Sequence, residues 1–231
     1  AIPGYLPYPL ARVPPAVPHR MNLLTPFSLL ALAAGLSAQS DLRVPAQFPT
    51  ISSAIAAAAN GDRILIAPGN YNESGLVVNG KAIEIRSTDG AAATTIDGGG
   101  AGTVFELIDI PSPGVGMRGL RITGGSCSGG GGILVEASPF TGTRTFAEIE
   151  DCVFDQNAAP SGSGGGISIE ANTEVVVRGC LFLSNSASSG SGGGVAVNGA
   201  FFGLDPAPFA LIESCRFINN SASSGSGAGL S

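Results

Sequence analysis

Three stretches of the chain repeat one another: "CVFDQNAAPSGSGGGISIEA" from Cys152, "CLFLSNSASSGSGGGVAVNG" from Cys180 and "CRFINNSASSGSGAGLS" from Cys215. The units begin 28 and 35 residues apart, and the insertion around "AFFGLDPAPF" accounts for the extra seven. A looser earlier unit places Leu120 where the others have Cys. Each column keeps its chemistry. Val115, Ala147, Val175 and Ala210 share one position, and Met117, Ile149, Val177 and Ile212 share the next but one. Two residues after Leu120, Cys152, Cys180 and Cys215 come Ile122, Phe154, Phe182 and Phe217. Beyond a loop of small residues Ile133, Ile167, Val195 and Leu230 align, followed by Val135, Ile169 and Val197.

Apolar positions are paired two residues apart, which is the period of a strand and not of a helix. Each unit therefore offers three short strands. Three strands with one apolar face apiece cannot bury those faces unless unit stacks on unit. The architecture that satisfies this is all-β, a right-handed parallel β-helix (solenoid), with equivalent residues of successive coils ~4.8 Å apart across parallel ladders. Cys152, Cys180 and Cys215, Phe154, Phe182 and Phe217, and Ile167, Val195 and Leu230 are then expected as interior stacks. Asn157, Asn185 and Asn220 fall where the strand turns. Asn tolerates left-handed backbone and can hydrogen-bond its counterpart in the next coil, which would fix register. The glycine run before the next strand lets backbone approach where a Cβ would clash.

The N-terminal half fits the same plan more loosely. Thr50 is placed to cap a short helix through "ISSAIAAAA", with Ile51 and Ile55 one turn apart and Asn60-Gly61 as the stop. "RILIAPGNY" reads as a strand and a turn, and "GLVV", "AIEIRS", "TTIDG", "TVFELID" and "MRGLRIT" as successive strands. An amphipathic helix ahead of the first coil would plug the open end of the core, which a solenoid needs because its last coil exposes unpaired edges.

Composition agrees. The chain has 35 Gly in 231 residues, roughly twice the usual share, and only 12% charged residues, about half the usual fraction. With few charges to solvate an irregular surface, its backbone groups must find regular partners. The net charge is -6 and Lys81 is the only Lys, so no basic patch exists to hold phosphates and nucleic acid is excluded as a partner class. Trp is absent and two of the three Tyr, Tyr5 and Tyr8, lie near the N-terminus, which leaves little for an aromatic sugar-stacking platform.

Residues 1–20 hold six Pro and no apolar period and are expected to form a disordered leader. Residues 21–38, "MNLLTPFSLLALAAGLSA", read as a secretory signal peptide with cleavage before Gln39. The apolar run is shorter than the ~20 residues of a spanning helix and is broken by Pro26, so no membrane span is expected in the mature segment. No Lys or Arg follows Met21 within the signal; Arg12, His19 and Arg20 would have to supply the positive end. Residues 39–231 form the expected β-helix. The repeat breaks off within a unit just after Leu230, so a longer protein is expected to continue it.

The segment "VPAQFPTISSAIAAAANGDRILIAPGNYNE", residues 44–73, is similar to the start of pectin-lyase-like domains, which include pectinesterases and secreted bacterial β-helix proteins. The repeats "FDQN…GGGI", "FLSN…GGGV" and "FINN…GAGL" resemble the F-x-x-N and G-G-A-[ILV] repeats of polymorphic outer-membrane autotransporter proteins. Both resemblances imply the parallel β-helix. They imply little about activity, because the matching residues are those that build coils.

The search for chemistry is correspondingly lean. Three of the four Cys share an interior column, where Cys acts as a small apolar residue. A reduced ladder and a bridge between neighbours both remain open, while the lack of an accompanying His argues against a metal site. Cys127, in "GGSCSGGGG", is expected to be free. Asp151, Asp155, Glu148, Glu150, Glu170, Glu174, Arg178 and Glu213 mostly alternate outward and read as solvating charges, with Arg118 and Arg178 in one column. The single His, His19, precedes the expected cleavage point, so no Ser-His or Cys-His device is available. The Gly-rich loops lack the Lys-Ser/Thr ending of a phosphate cradle and the Asp of a calcium-binding repeat. Asn72-Glu73-Ser74 and Asn219-Asn220-Ser221 match the glycosylation acceptor pattern, which matters only in a host that glycosylates.

The expectation is a secreted or bacterial cell-surface β-helix scaffold that binds extracellular polysaccharide or mediates surface adhesion, with no cofactor and no catalytic site in this segment. The alternative is a polysaccharide lyase, esterase or epimerase of the pectin-lyase fold whose catalytic coils lie beyond Ser231 or are not recognisable here.

Overall fold

The computed structural model describes residues 39–139, 141–199 and 206–231. The leader and signal expected at 1–20 and 21–38 lie outside these residues, as does much of the insertion, Phe201 included.

The chain is all-β, a parallel β-helix, and it climbs by visiting three sheets in turn. Sheet A stacks Asp41–Val44, Arg63–Ile66, Glu84–Ser87, Val115–Arg118, Thr145–Glu150, Thr173–Arg178 and Phe209–Glu213. Sheet B stacks Gly69–Asn72, Thr94–Asp97, Arg121–Thr123, Val153–Asp155, Leu181–Leu183 and Arg216–Ile218. Sheet C stacks Leu76–Asn79, Phe105–Ile108, Ile133–Glu136, Ile167–Ile169 and Val195–Val197. Every pairing between these strands is parallel.

The register follows the sequence columns residue by residue. Val115, Ala147, Val175 and Ala210 are successive partners, as are Met117, Ile149, Val177 and Ile212. Ile122 pairs with Phe154, Phe154 with Phe182 and Phe182 with Phe217. Strands of three to six residues suffice because each inward side chain is covered by its counterparts above and below, and the inward positions from Ile64 to Val195 are almost all fully buried.

The helix Ile51–Ala57 stands where the first coil would carry its B and C strands. Thr50 Oγ1 accepts the Ser53 N–H at 3.1 Å, Ser53 Oγ accepts the Thr50 N–H, and Ile51, Ala54 and Ile55 face the core. The coils hold the helix at both ends. The Glu73 carboxylate accepts the N–H groups of Ile51 and Ser52, and Lys81 Nζ donates to the carbonyls of Ile55 and Ala56. These contacts satisfy terminal groups a helix this short cannot satisfy itself. The helix ends at Ala57, and Ala58 is already extended, short of the Asn60-Gly61 stop expected from sequence.

Several local expectations are corrected. The last three units carry a strand beyond the three expected: Ala158–Ala159, Ser186–Ala187 and Ser221–Ala222 form a further parallel sheet in what reads as loop, so the units beginning at Thr145 and Thr173 have four strands, while the last has three and a single bridge at Leu230. Two residues of small side chain give no period to detect. "DLRV" at Asp41–Val44 pairs with Arg63–Ile66 ahead of the helix, and Gly69–Asn72 is a strand where a turn was expected. Left-handed backbone falls not on the ladder Asn but on the residue before it, at Gln156, Ser184 and Asn219 with φ of 54°, 54° and 55°. That corner frees the Asn side chain to point inward. Leu230 bridges to Val195 as its column requires, yet it is 46% exposed, because no described coil covers it.

Candidate functional site

The residues that recur most in the sequence build the interior. The rings of Phe154 and Phe182, and of Phe182 and Phe217, stack with centroids 4.8 Å apart and planes within 7° of parallel. Beside them Asn157, Asn185 and Asn220 form a hydrogen-bonded ladder. The glycine triplets fit against both. Gly164 is left-handed at φ 71°, and a Cβ on Gly166 would stand 2.5 Å from the Gly194 carbonyl and 2.9 Å from the Phe182 ring. Where the next coil brings Ile122 and not Phe, the equivalent position accepts Val104, which is fully buried.

All four Cys are free thiols. Cys152, Cys180 and Cys215 stack in the corner between sheets A and B, each donating to a carbonyl two residues back, at 3.2 to 3.3 Å. Hydrogen bonding to the neighbouring thiol, followed by burial, pushes the thiols of Cys180 and Cys215 well above the usual range. A thiol held protonated is a poor nucleophile.

The outer face of sheet A orders charges that look scattered in the sequence. Arg118, Glu150, Arg178 and Glu213 occupy one column, flanked by Glu84 and Glu148. Arg118 reaches Glu84, Glu148 and Glu150, while Arg178 reaches Glu148 at 2.9 Å, Glu150 at 3.6 Å and Glu213 at 2.9 Å. Asp155, expected outward and solvated, is only 5% exposed and is paired with Arg121, with its Oδ1 left unpartnered.

The outer face of sheet C is different. Here a cleft of about 720 Å³ runs over the strands Ile133–Glu136, Ile167–Ile169 and Val195–Val197 and is closed on one side by the Cys127–Gly129 loop. Strand alternation places Leu134 beside Ser168 in one row. One residue past the paired Val135 and Ile169 come Glu136 and Glu170, with Asn198 following on the next coil. Asn198 Nδ2 donates to Ser168 Oγ and Glu170 Oε1, both at 2.9 Å, and Ser168 Oγ donates to the same carboxylate oxygen at 2.7 Å. Glu170 is thereby fixed in direction. Burial, then the neighbouring charges of Glu106, Glu170 and Asp109, hold the Glu136 carboxyl above its usual range. The half-buried Cys127 thiol is held below its usual range, chiefly by hydrogen bonding from Thr103 and then from the Gly129 backbone.

Among the described residues no Arg or Lys lines this cleft. Its polar groups are hydrogen-bond acceptors with a few neutral donors, set against an apolar wall of Leu134, Ala137, Pro139 and Ala171. Such a surface receives hydroxyls and cations and repels anions. Among the described residues no group of three His, Cys, Asp or Glu is placed to hold one metal ion, and no helix is long and apolar enough to cross a membrane.

Of the acidic residues weighed from sequence, the structure brings only Glu170 into the cleft. Glu136, Ser168 and Asn198 were passed over, and Cys127 was expected only to be free. The readable signal was the outward position just past the last paired apolar residue of the sheet C strand, which carries Glu136, Glu170 and Asn198 in three successive units. Comparison of the chain with protein-family models, with curated proteins and with solved structures finds no match.

Proposed function

We propose that this chain is a secreted or bacterial cell-surface β-helix scaffold that binds polysaccharide or mediates surface adhesion, and that this segment has no catalytic site. One observation carries the reading: the repeated residues, Cys, Phe, Asn and Gly, are all spent on interior stacks and close backbone contacts. The repeat thus propagates a regular parallel wall, and extended walls of this kind are what solenoids use for binding. The resemblance of residues 44–73 to pectin-lyase-like domains, and of the Phe-x-x-Asn and Gly-Gly units to autotransporter repeats, points to the same setting outside the cell. The signal-like stretch at 21–38 supports export.

The second reading, a polysaccharide lyase, esterase or epimerase of the pectin-lyase fold, draws on the buried Asp155 carboxylate, which is paired through one oxygen with the half-exposed Arg121 and whose unpartnered Oδ1 is the kind of polar atom an active site holds in reserve. Fold alone does not choose between them. The deciding experiment presents the protein to a polysaccharide array and assays the retained polymers for unsaturated product and methanol release. Retention without turnover supports the scaffold; turnover abolished by Asp155→Asn establishes the enzyme; retention of nothing removes both.

A further inference from the structure

We propose that Asn198-Gly199 is a site of self-modification, where the Gly199 backbone nitrogen closes on the Asn198 side chain to a succinimide that water opens to aspartate or isoaspartate. The inference goes beyond the binding reading above and does not depend on it.

Glycine after asparagine leaves the attacking backbone nitrogen least hindered, because no Cβ stands beside it. The chain holds three such pairs, Asn60-Gly61, Asn79-Gly80 and Asn198-Gly199. The coils tie up the first two. Gly61 N–H donates to the Ala82 carbonyl at 2.8 Å, and Asn60 Oδ1 accepts the Ala82 N–H at 2.9 Å, so both reacting groups are held. Gly80 N–H donates to the Ile108 carbonyl at 3.0 Å, in line with the parallel pairing of Asn79 with Ile108. An amide nitrogen bonded in a ladder must break that bond before it can turn on its neighbour, and the net worth of one such bond slows the reaction by up to about tenfold.

The third pair has the opposite arrangement. Gly199 is exposed, its N–H has no acceptor among the described residues, and a Cβ built there would meet nothing within 4 Å. The Asn198 amide is bonded through Nδ2 alone, to Ser168 Oγ and Glu170 Oε1, both at 2.9 Å. Nδ2 is the leaving group, while Oδ1 of the carbonyl under attack accepts no hydrogen bond among the described residues. In the first step the bond from Gly199 N to Asn198 Cγ forms, the Cγ–Nδ2 bond breaks, and the Gly199 proton leaves with Nδ2 as ammonia. In the second, a water molecule opens either ring carbonyl and restores the backbone N–H. The balance is amide plus water to acid plus ammonia, with no oxidant, reductant or cofactor. The product loses both Nδ2 bonds and sets a new carboxylate beside Glu170, where like charges repel. The side-chain tie from the end of the strand Val195–Val197 to the strand Ile167–Ile169 is thereby lost.

The full chain is held at pH 8 in water enriched in heavy oxygen and digested at intervals, with the urea-unfolded chain as reference. Peptide mass spectrometry reads the amide-to-acid mass gain, the uptake of heavy oxygen and the share of isoaspartate at each of the three pairs. In the unfolded chain all three are expected to convert at similar rates. In the folded chain Asn60 and Asn79 are expected to slow at least tenfold, while Asn198 converts at least fivefold faster than either and yields isoaspartate as well as aspartate. Gly199→Ala, whose Cβ the open space accepts, is expected to slow conversion of Asn198 at least fivefold while leaving the melting temperature unchanged. Folded Asn198 converting no faster than Asn60 or Asn79 overturns the proposal. So does acid formed without isoaspartate, or an unchanged rate in Gly199→Ala, since either outcome means that water attacks the side chain directly and Gly199 takes no part.

Discussion

Asn185 Oδ1 accepts two hydrogen bonds from Asn157, one coil earlier, from its backbone N–H at 3.0 Å and from its Nδ2 at 3.1 Å. Asn185 in turn donates Nδ2 to Asn220 Oδ1 and to the Phe154 carbonyl. The ladder thus consumes every polar atom it buries, and does so only when the coils are in register. A slip of one residue would leave the whole set unsatisfied.

Asn185→Ala is therefore expected to destabilise more than its size suggests. It takes the acceptor of the Asn157 N–H, one of the two acceptors of Asn157 Nδ2, which keeps the Ile122 carbonyl, and a donor to the Phe154 carbonyl, at about 1–3 kcal/mol for each buried group left without a partner. Chemical denaturation should show a loss of at least ~3 kcal/mol. A loss below ~1 kcal/mol would mean that water replaces the ladder.

The phenylalanine pile and the glycine triplet test each other. Phe182→Ala is expected to cost about 3–5 kcal/mol as a core truncation. Gly166→Ala forces a Cβ against the Gly194 carbonyl, where backbone must move, and is expected to cost at least the ~1–3 kcal/mol of overpacking. Gly116→Ala, whose Cβ would meet only Glu84 Cγ at 3.7 Å, is the matched control and is expected to be nearly neutral. Melting curves of the three variants give the comparison directly.

These interior features were legible because one residue type recurs at each column, and a ladder with period two leaves no freedom in where Phe154, Phe182 and Phe217 can go. The cleft was less legible for a physical reason. Glu136 and Glu170 are adjacent only across coils, and the positions that decide their chemistry, Ser168 and Asn198, look like ordinary outward polar residues in a single unit. Asp155 misled for the same reason: its partner Arg121 lies 34 residues away, and its burial depends on packing that alternation does not encode. The short strand Ser186–Ala187 carries no apolar contrast at all, so only the parallel ladder reveals it.

The sheet A charges should contribute little and in a salt-dependent way. Arg118 is 45% exposed and shares three carboxylates. Arg118→Met is expected to cost roughly 1 kcal/mol at low ionic strength, in line with exposed pairs. The difference from the unsubstituted protein should shrink toward zero in 1 M salt, where screening acts within about 3 Å. A loss that does not change with salt would assign Arg118 to packing instead.

The Glu136 carboxyl gives a pH signature of the opposite kind. Because burial raises its folded-state affinity for a proton above that of an unfolded Glu, near ~4.3, the folded state binds that proton more tightly than the unfolded state does. Its favourable contribution is complete below the unfolded value and is lost as pH rises through the folded one. Glu136→Gln, permanently neutral, should therefore melt higher than the unsubstituted protein at pH 7 and no higher at about pH 3.5, below the unfolded value. A gain that persists unchanged at low pH would show that charge is not the cause.

The thiols separate by environment, and counting them tests the Cys column. Only the thiolate reacts with alkylating agents, so a thiol held below its usual range at the surface of the cleft reacts faster than thiols whose protons are held by their neighbours and by burial. In the folded protein at pH 8, Cys127 is expected to react at least tenfold faster than Cys152 and Cys180, which are 1% exposed. All four Cys should become reactive once the chain is unfolded without reductant. Fewer than three reactive thiols after unfolding would mean that neighbouring rungs are bridged. A stacked disulfide, and not a column of reduced side chains, would then join those coils.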